Sequence, residues 1–578
     1  MLVLRRLLPY LTQYKGQIAK GMLCLLFGKV ASVLAPQVLR MTVDDLTVAV
    51  TAQKLLFYSG LLVAIALVDG FFRFWMRRLL IGVSRYVEFD LRNDFYAHLQ
   101  RMSPSFFHRW RTGDLMSRAT NDIAAVRSVL GPGIMYPAET IVITIAALGF
   151  MLAIHVELTL VALAVMPIVS IAVKKFGALI HKRFEAIQAK MSDITAMVQE
   201  NLSGVRVVKA YTQESAEQEK FEKENQDYFR HNLSLAKLWG AFYPLLAVLI
   251  GIGSALVLWW GGGLVVSQEI SLGQLVAFFA YLSMLTWPMI AFGWVVNIYQ
   301  RGAASMKRLA VIMDTESELT DAPDARTDVD VTGRIEFRDV SFRYNGTDVL
   351  KGINLVIEEG KTLALVGRTG AGKSTLVSLV PRLYDVSAGQ VLVDGVDVRK
   401  LPLANLRDAI GFVSQESFLF SETLRDNISF GVKDPSLDEI EKAAAVAGLA
   451  PDIADFPLQY DTMVGERGIT LSGGQKQRGT IARALLTEPR ILILDDALSS
   501  VDTETEDRIL SQLRGVIRNR TTLLVSHRIS TIKDADVIVV LEDGRIVEEG
   551  THESLVAQQG VYAELYRKQL LEEELERI

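Results

Sequence analysis

The chain has 578 residues, enough for several domains, and half of them are hydrophobic, giving a mean hydropathy of +0.26 although 22% are charged. A net charge of −5 without a long basic tract leaves no case for a nucleic-acid partner. The single cysteine, Cys24, excludes an intrachain disulfide and reads as a small buried hydrophobe, and no Cys/His metal spacing is visible.

High hydropathy and ordinary charge are compatible only if the apolar residues are concentrated, and nearly all the long apolar runs fall in the first 310 or so residues. The chain begins MLVLRRLLPYLTQYKG, whose apolar runs are too short for a signal peptide and read as an interfacial amphipathic segment. A membrane span needs about 20 mostly apolar residues. Six candidates follow, at 18–43, 55–72, 134–154, 158–173, 238–266 and 272–296. Only His155, Val156 and Glu157 separate spans three and four, a tight turn. Residues 73–133 and 174–237 are instead long, charged and helix-patterned. Arg73, Arg77, Arg78, Arg85, Lys174, Lys175, Lys182 and Arg183 flank the spans on these loops, whereas the other side has mainly Lys54, Asp44, Asp45 and Glu269. The positive-inside bias places both loops and both termini in the cytoplasm of a multi-pass plasma-membrane protein.

Ionisable groups at membrane depth face a bundle interior or a watery cavity, so Asp69 and Glu139 stand out. Asp69, near Arg73, has interfacial pairing as its alternative; Glu139 is a candidate for the substrate pathway. Span six carries Tyr281, Met284, Trp287, Met289, Phe292 and Trp294 around Pro288, either an adaptable apolar surface or plain helix packing. The acidic stretch 314–332, with Pro323 and no apolar period, reads as a linker between a membrane domain at 1–313 and a further domain at 333–578.

In that further domain Gly367, Arg368, Thr369, Gly370, Ala371, Gly372, Lys373 and Ser374 fill the pattern G-x-x-x-x-G-K-[ST], followed by Thr375. In this pattern backbone N–H groups cradle phosphates, Lys373 reaches the β/γ-phosphates of ATP and Ser374 the Mg²⁺. Downstream, LSGGQ opens a helix, so Ser472, Gly473, Gly474 and Gln475 offer exposed N–H groups at its positive end. The run 491–494 is short, branched and apolar, a strand buried on both faces, and Asp495 emerges at its carboxyl end, where open α/β sheets bind ligands.

The phosphate loop together with LSGGQ resembles the ABC ATPase family, from about Gly333 to the C-terminus. The resemblance implies further roles: Tyr344 stacking on adenine, Gln415 sensing Mg²⁺ and the membrane domain, Asp495 linked to Mg²⁺, His527 contacting the γ-phosphate and Asp502 in an inter-subunit loop. The segment 464–468, VGERG, resembles a coupling segment of exporters. Six spans and two long loops ahead of one such domain resemble an ABC exporter half-transporter, with loop tips near 111–122 and 204–214 resting on the nucleotide domains. The implied fold is a six-helix transmembrane domain followed by an α/β nucleotide-binding domain.

One position departs from the family pattern: where most members carry a Glu that polarises the attacking water, this chain has Asp496. The shorter side chain sets its carboxylate back by roughly 1 Å, a misplacement that costs on the order of a hundredfold in rate. An intact LSGGQ beside a weakened base suggests one half of a heterodimeric multidrug or lipid exporter, keeping a slow ATP site and lending its signature to a partner. The alternatives are a homodimer in which Asp496 serves as the base, and a nucleotide-gated regulator that barely hydrolyses ATP.

Overall fold

The computed structural model describes residues 2–48, 51–344, 346–465, 468, 471–499, 503–517 and 520–576. The chain forms two compact units, one of Met1–Gln100 and Thr112–Thr315, the other of Arg101–Arg111 and Glu316–Ile578.

In the first unit, six helices among the described residues are long and apolar enough to cross a membrane. They contain α1 (Lys15–Val48), α2 (Ala52–Gln100), α3 (Pro132–Ile154), α4 (Val156–Ser203), α5 (Glu214–Val266) and α6 (Leu272–Met313). Several run far beyond an apolar stretch of about 20 residues, because the charged loops continue the helices of the spans they leave. The α3–α4 turn is His155 alone: its Nδ1 accepts a hydrogen bond from Leu158 N at 3.3 Å and caps α4. Ser271 caps α6 in a reciprocal pair with Gln274, and Asp44 of α1 accepts from Ser271 Oγ and Gly273 N, both at 2.9 Å. A Cβ at Gly273 would come within 2.3 Å of Arg40 O, so this close approach of α6 to α1 requires glycine.

Helix α1 packs along α2, α6 against α3 and α1, and α4 chiefly along α5. Tyr281 of span six is fully buried and donates to Val33 O at 3.0 Å, so this member of the aromatic stripe is core packing. Trp287 and Trp294 remain exposed, and the side chains of Met289 and Phe292 lie outside the described residues. Asp69 pairs with Arg73 one turn along α2. Glu139 pairs with Lys29 of α1, a residue that drew no attention in the sequence.

The second unit holds two sheets. One is β2 (Thr347–Ile357), β1 (Ile335–Tyr344), β4 (Ala388–Val393) and β5 (Val396–Asp397), all antiparallel. The other runs β10 (Arg545–Gly550), β9 (Val537–Glu542), β3 (Thr362–Val366), β8 (Thr521–Val525), β7 (Ile491–Asp495) and β6 (Ile410–Val413). Only β10 is antiparallel in this second sheet, and β7 and β8 are buried along their whole length, as parallel strands covered on both faces are. The register pairs Leu365 and Asp495 with Val525, so the carboxyl ends of β3, β7 and β8 lie level.

The short transverse helix that joins the second unit is Pro104–Arg109, ahead of the tip expected at 111–122. Proline at the first turn starts it, Phe106 is buried, and Ser105 and Arg109 both bond Glu318. Residues of the expected tip form a further helix, Thr112–Ser117, and a π-turn, Arg118–Asp122, in the first unit.

Candidate functional site: the nucleotide cleft

Level strand ends bring three loops to one place. The phosphate loop follows β3 and leads into α7 (Lys373–Ser378); Asp496 follows β7; His527 lies two residues past β8. Gly367 is extended to φ +153°, where a Cβ would stand 2.2 Å from Leu541 O, and Gly372 caps α7 in the left-handed region at φ +102°. Only glycine fits both positions, and the loop curls around its own interior.

The resulting cleft, of about 290 Å³, is lined by Tyr344, Thr369, Gly370, Gly372, Lys373, Ser374, Thr375, Gln415, Asp495, Asp496 and His527, with Val349 and Val525. The structure thus gathers residues from positions 344 to 527. Lys373 is buried and donates to the carbonyls of Gly367 at 2.7 Å and Arg368 at 3.0 Å, in the loop interior where phosphate oxygens would serve it better. Ser374 Oγ donates to Asp495 Oδ1 at 3.0 Å, so two of the three oxygen ligands expected for Mg²⁺, the third being Gln415, are adjacent. Ala371 is buried beneath the loop and Gly473 lies at the start of the signature helix.

Electrostatics follow from this burial. Desolvation lowers the Lys373 ammonium from its ordinary value, with Asp496 and Asp495 opposing. It raises the Asp495 carboxyl, which Ser374 and Lys373 pull back and Asp496 pushes further up. His527 is lowered by burial and then by Lys373, against Asp496, so its imidazole is neutral near pH 7. Asp496 sits at φ +51° with its N–H bonded to Val525 O at 2.9 Å. Its carboxylate has no hydrogen-bond or ion-pair partner among the described residues.

The signature lies apart. Ser472 caps α8 (Gly473–Leu486), accepting from Gln475 N at 3.2 Å, while Gln475 Oε1 accepts from Ser472 N at 3.0 Å. Gln475 and Arg478 both bond Asp452, which fixes the turn to the neighbouring helical layer. None of residues 472–475 lines the cleft. Asp502, and Glu466 and Arg467 of VGERG, lie outside the described residues.

Tyr384 escaped the sequence reading. Its ring meets Tyr344 edge-on at 5.5 Å, its Oη is 3.0 Å from His108 Nε2, and burial beside Tyr344 pushes its phenol up to about 12. No local pattern marks it, because the contact joins residues 40 positions apart.

A membrane unit of six span-length helices joined to a P-loop ATPase that carries a helix-capping LSGGQ turn defines a membrane-embedded transport ATPase. Residues 18–289 match the ABC transporter transmembrane region and residues 350–499 the ABC transporter domain. The chain is 38% identical over 576 residues to the probable multidrug resistance ABC transporter ATP-binding/permease protein YheI of Bacillus subtilis, covering 98% of both. It is 37% identical to the multidrug resistance-like ATP-binding protein MdlA of Escherichia coli (98% of this chain, 95% of that protein). It is 36% identical to the ATP-dependent lipid A-core flippase of Syntrophus aciditrophicus (99% and 95%). A solved bacterial Atm1-family ABC exporter with ATP bound superposes with a TM-score of 0.78 at 30% identity, over 96% of this chain and 98% of that one. The chain belongs to the ABC transporter family. It is an exporter half-transporter that acts as a dimer in the membrane and couples ATP hydrolysis to export.

Proposed function

We propose that this chain is one half of a heterodimeric exporter that moves hydrophobic or amphipathic compounds, drug-like or lipid, out of the cytoplasm, and that the ATP site built on it is slow. The observation that carries the slow site is Asp496. It lines the cleft with Lys373, Asp495 and His527 where a longer Glu would reach an attacking water. The substrate class rests on the names of the relatives, multidrug proteins and a lipid flippase, and on the apolar membrane unit. We place the chain in the plasma membrane with the termini and the ATPase unit in the cytoplasm, after the cationic loops. The domain division is 1–313, 314–332 and 333–578.

Bound MgATP supplies the phosphoryl bond whose cleavage resets the transporter. Around it, Gly367 to Thr375 wrap the phosphates and Lys373 gives up the loop carbonyls to serve phosphate oxygens. Ser374, Asp495 and Gln415 hold the metal, Tyr344 backs the adenine, and neutral His527 meets the γ-phosphate. Because residues 472–475 stand apart from the cleft, Ser472 to Gln475 and Asp502 complete the site of the second subunit, and its signature completes this one. Two chains therefore close together, and closure is favoured because ATP binds the closed form better.

ATPase activity of the chain purified alone in lipid, beside Asp496→Glu and the chain captured with its partner, tests this reading. Near-inactivity alone, a gain with Glu and full turnover with the partner support it. Brisk turnover alone that Asp496→Asn abolishes establishes a homodimer with Asp496 as base.

A further inference from the structure

Of the buried acids among the described residues that take no part in ATP binding, one is the most completely enclosed. Glu506, in the first turn of α9 (Thr503–Ile517), is only 1% exposed. One carboxylate oxygen accepts from the Arg528 guanidinium and the other from Thr531 Oγ1. Arg528 directly follows His527, and the two neighbours part company. His527 lines the nucleotide cleft, while Arg528, in extended backbone at φ −96° and ψ +123°, reaches into α9. The chain bends at His527, between the end of β8 at Val525 and the helix that starts at Ile529, so an Arg528 held by Glu506 limits how that bend can turn and with it where the His527 side chain leaves. The same loop is held elsewhere by backbone N–H groups bonded to side chains: Arg528 N donates to Ser526 Oγ at 3.0 Å and Ile529 N to Gln569 Oε1 at 2.8 Å.

Only the acid of this pair is buried, the Arg528 side chain being 35% exposed, and for such a pair desolvation of the acid offsets much of the attraction, so its best-supported use is to specify one arrangement. An apolar pair would pack this position as well, but would not define the direction of the His527 backbone. We propose that Glu506 is a positioning residue for ATP hydrolysis: through Arg528 and Thr531 it holds the loop that aims His527 into the cleft. It also lies four positions beyond Asp502, so it ties the loop carrying His527 to the helix that follows the inter-subunit loop. The inference rests on the proposed role of His527.

The test uses the full chain in lipid nanodiscs, in the Asp496→Glu parent, with Glu506→Gln, His527→Ala and the double variant. The expected result is a fall in kcat of about tenfold for Glu506→Gln with KM for ATP nearly unchanged, the usual size for a lost outer support. The double variant should turn over no more slowly than His527→Ala, because residues acting through one another are not additive. A Glu506→Gln loss that persists in full without His527, or an unchanged kcat, overturns the proposal. Should Glu506→Gln not fold, Arg528→Lys, which keeps the charge and loses the planar fork, is read by the same double-variant comparison. If Asp496→Glu fails to raise turnover, the slow-site reading fails by itself, and Glu506 is then read in the wild-type background.

Discussion

Two lysines are buried among the described residues, one in each unit, and they are treated oppositely. Lys29, 5% exposed at the side chain, meets the carboxylate of Glu139 on the next packed helix but one in sequence. Lys373, 6% exposed, meets two backbone carbonyls of its own loop, and among the described residues Asp495 and Asp496 stand near without forming an ion pair with it. The membrane unit neutralises its buried charge internally, which makes Lys29 and Glu139 a brace between α1 and α3. The ATPase unit leaves its charge unsatisfied by any carboxylate, which makes Lys373 ready for an anionic ligand. Burial alone therefore does not mark a functional charge; burial without a matched partner does.

That contrast can be broken or sharpened by substitution. The largest effect is expected at the brace: Lys29→Met leaves the half-buried Glu139 carboxylate without its partner, lowering stability by about 3 kcal/mol, the low end for breaking a buried pair. Adding Glu139→Leu should restore most of the loss, read as the thermal midpoint in lipid. If the double variant is no better than the single, the pair is not a brace. At the cleft, Lys373→Ala should lower ATP turnover by about 10²–10³-fold, as for loss of one donor to a developing anion. Its thermal midpoint without nucleotide should hardly move, since the lost partners are two loop carbonyls.

A smaller effect is expected from pH. The folded value of His527 lies below its ordinary one, so the neutral form is the native one, and its contribution is present at high pH and lost as pH falls through the lowered value. The acid limb of the pH–rate profile should therefore lie at lower pH than an ordinary histidine would set it. A fall beginning near neutrality would mean that His527 is not the group lowered by burial and Lys373. The least effect is expected at Ser436, which caps the helix Leu437–Val446 in a reciprocal pair with Glu439. Ser436→Ala should cost about 1 kcal/mol in unfolding free energy while ATP turnover stays unchanged.

Much of this protein was legible in its amino-acid order, for a reason that is local. An apolar run of span length must cross a bilayer as a helix, and six such runs fixed the membrane unit. The phosphate loop and the LSGGQ turn are short segments whose glycines and capping residues dictate their own backbone, so Gly367, Gly372 and Ser472 could be read in isolation. Tertiary structure alone decided what meets what. It paired Glu139 with Lys29 across 110 positions, a partner that no local pattern marks, and it put Pro104–Arg109 in the second unit and 112–122 in the first. It backed Tyr344 with Tyr384, joined Glu506 to Arg528, and kept the signature out of the cleft beside Lys373. These are contacts between distant segments, set by sheet order and helix packing, and no spacing within a single segment encodes them.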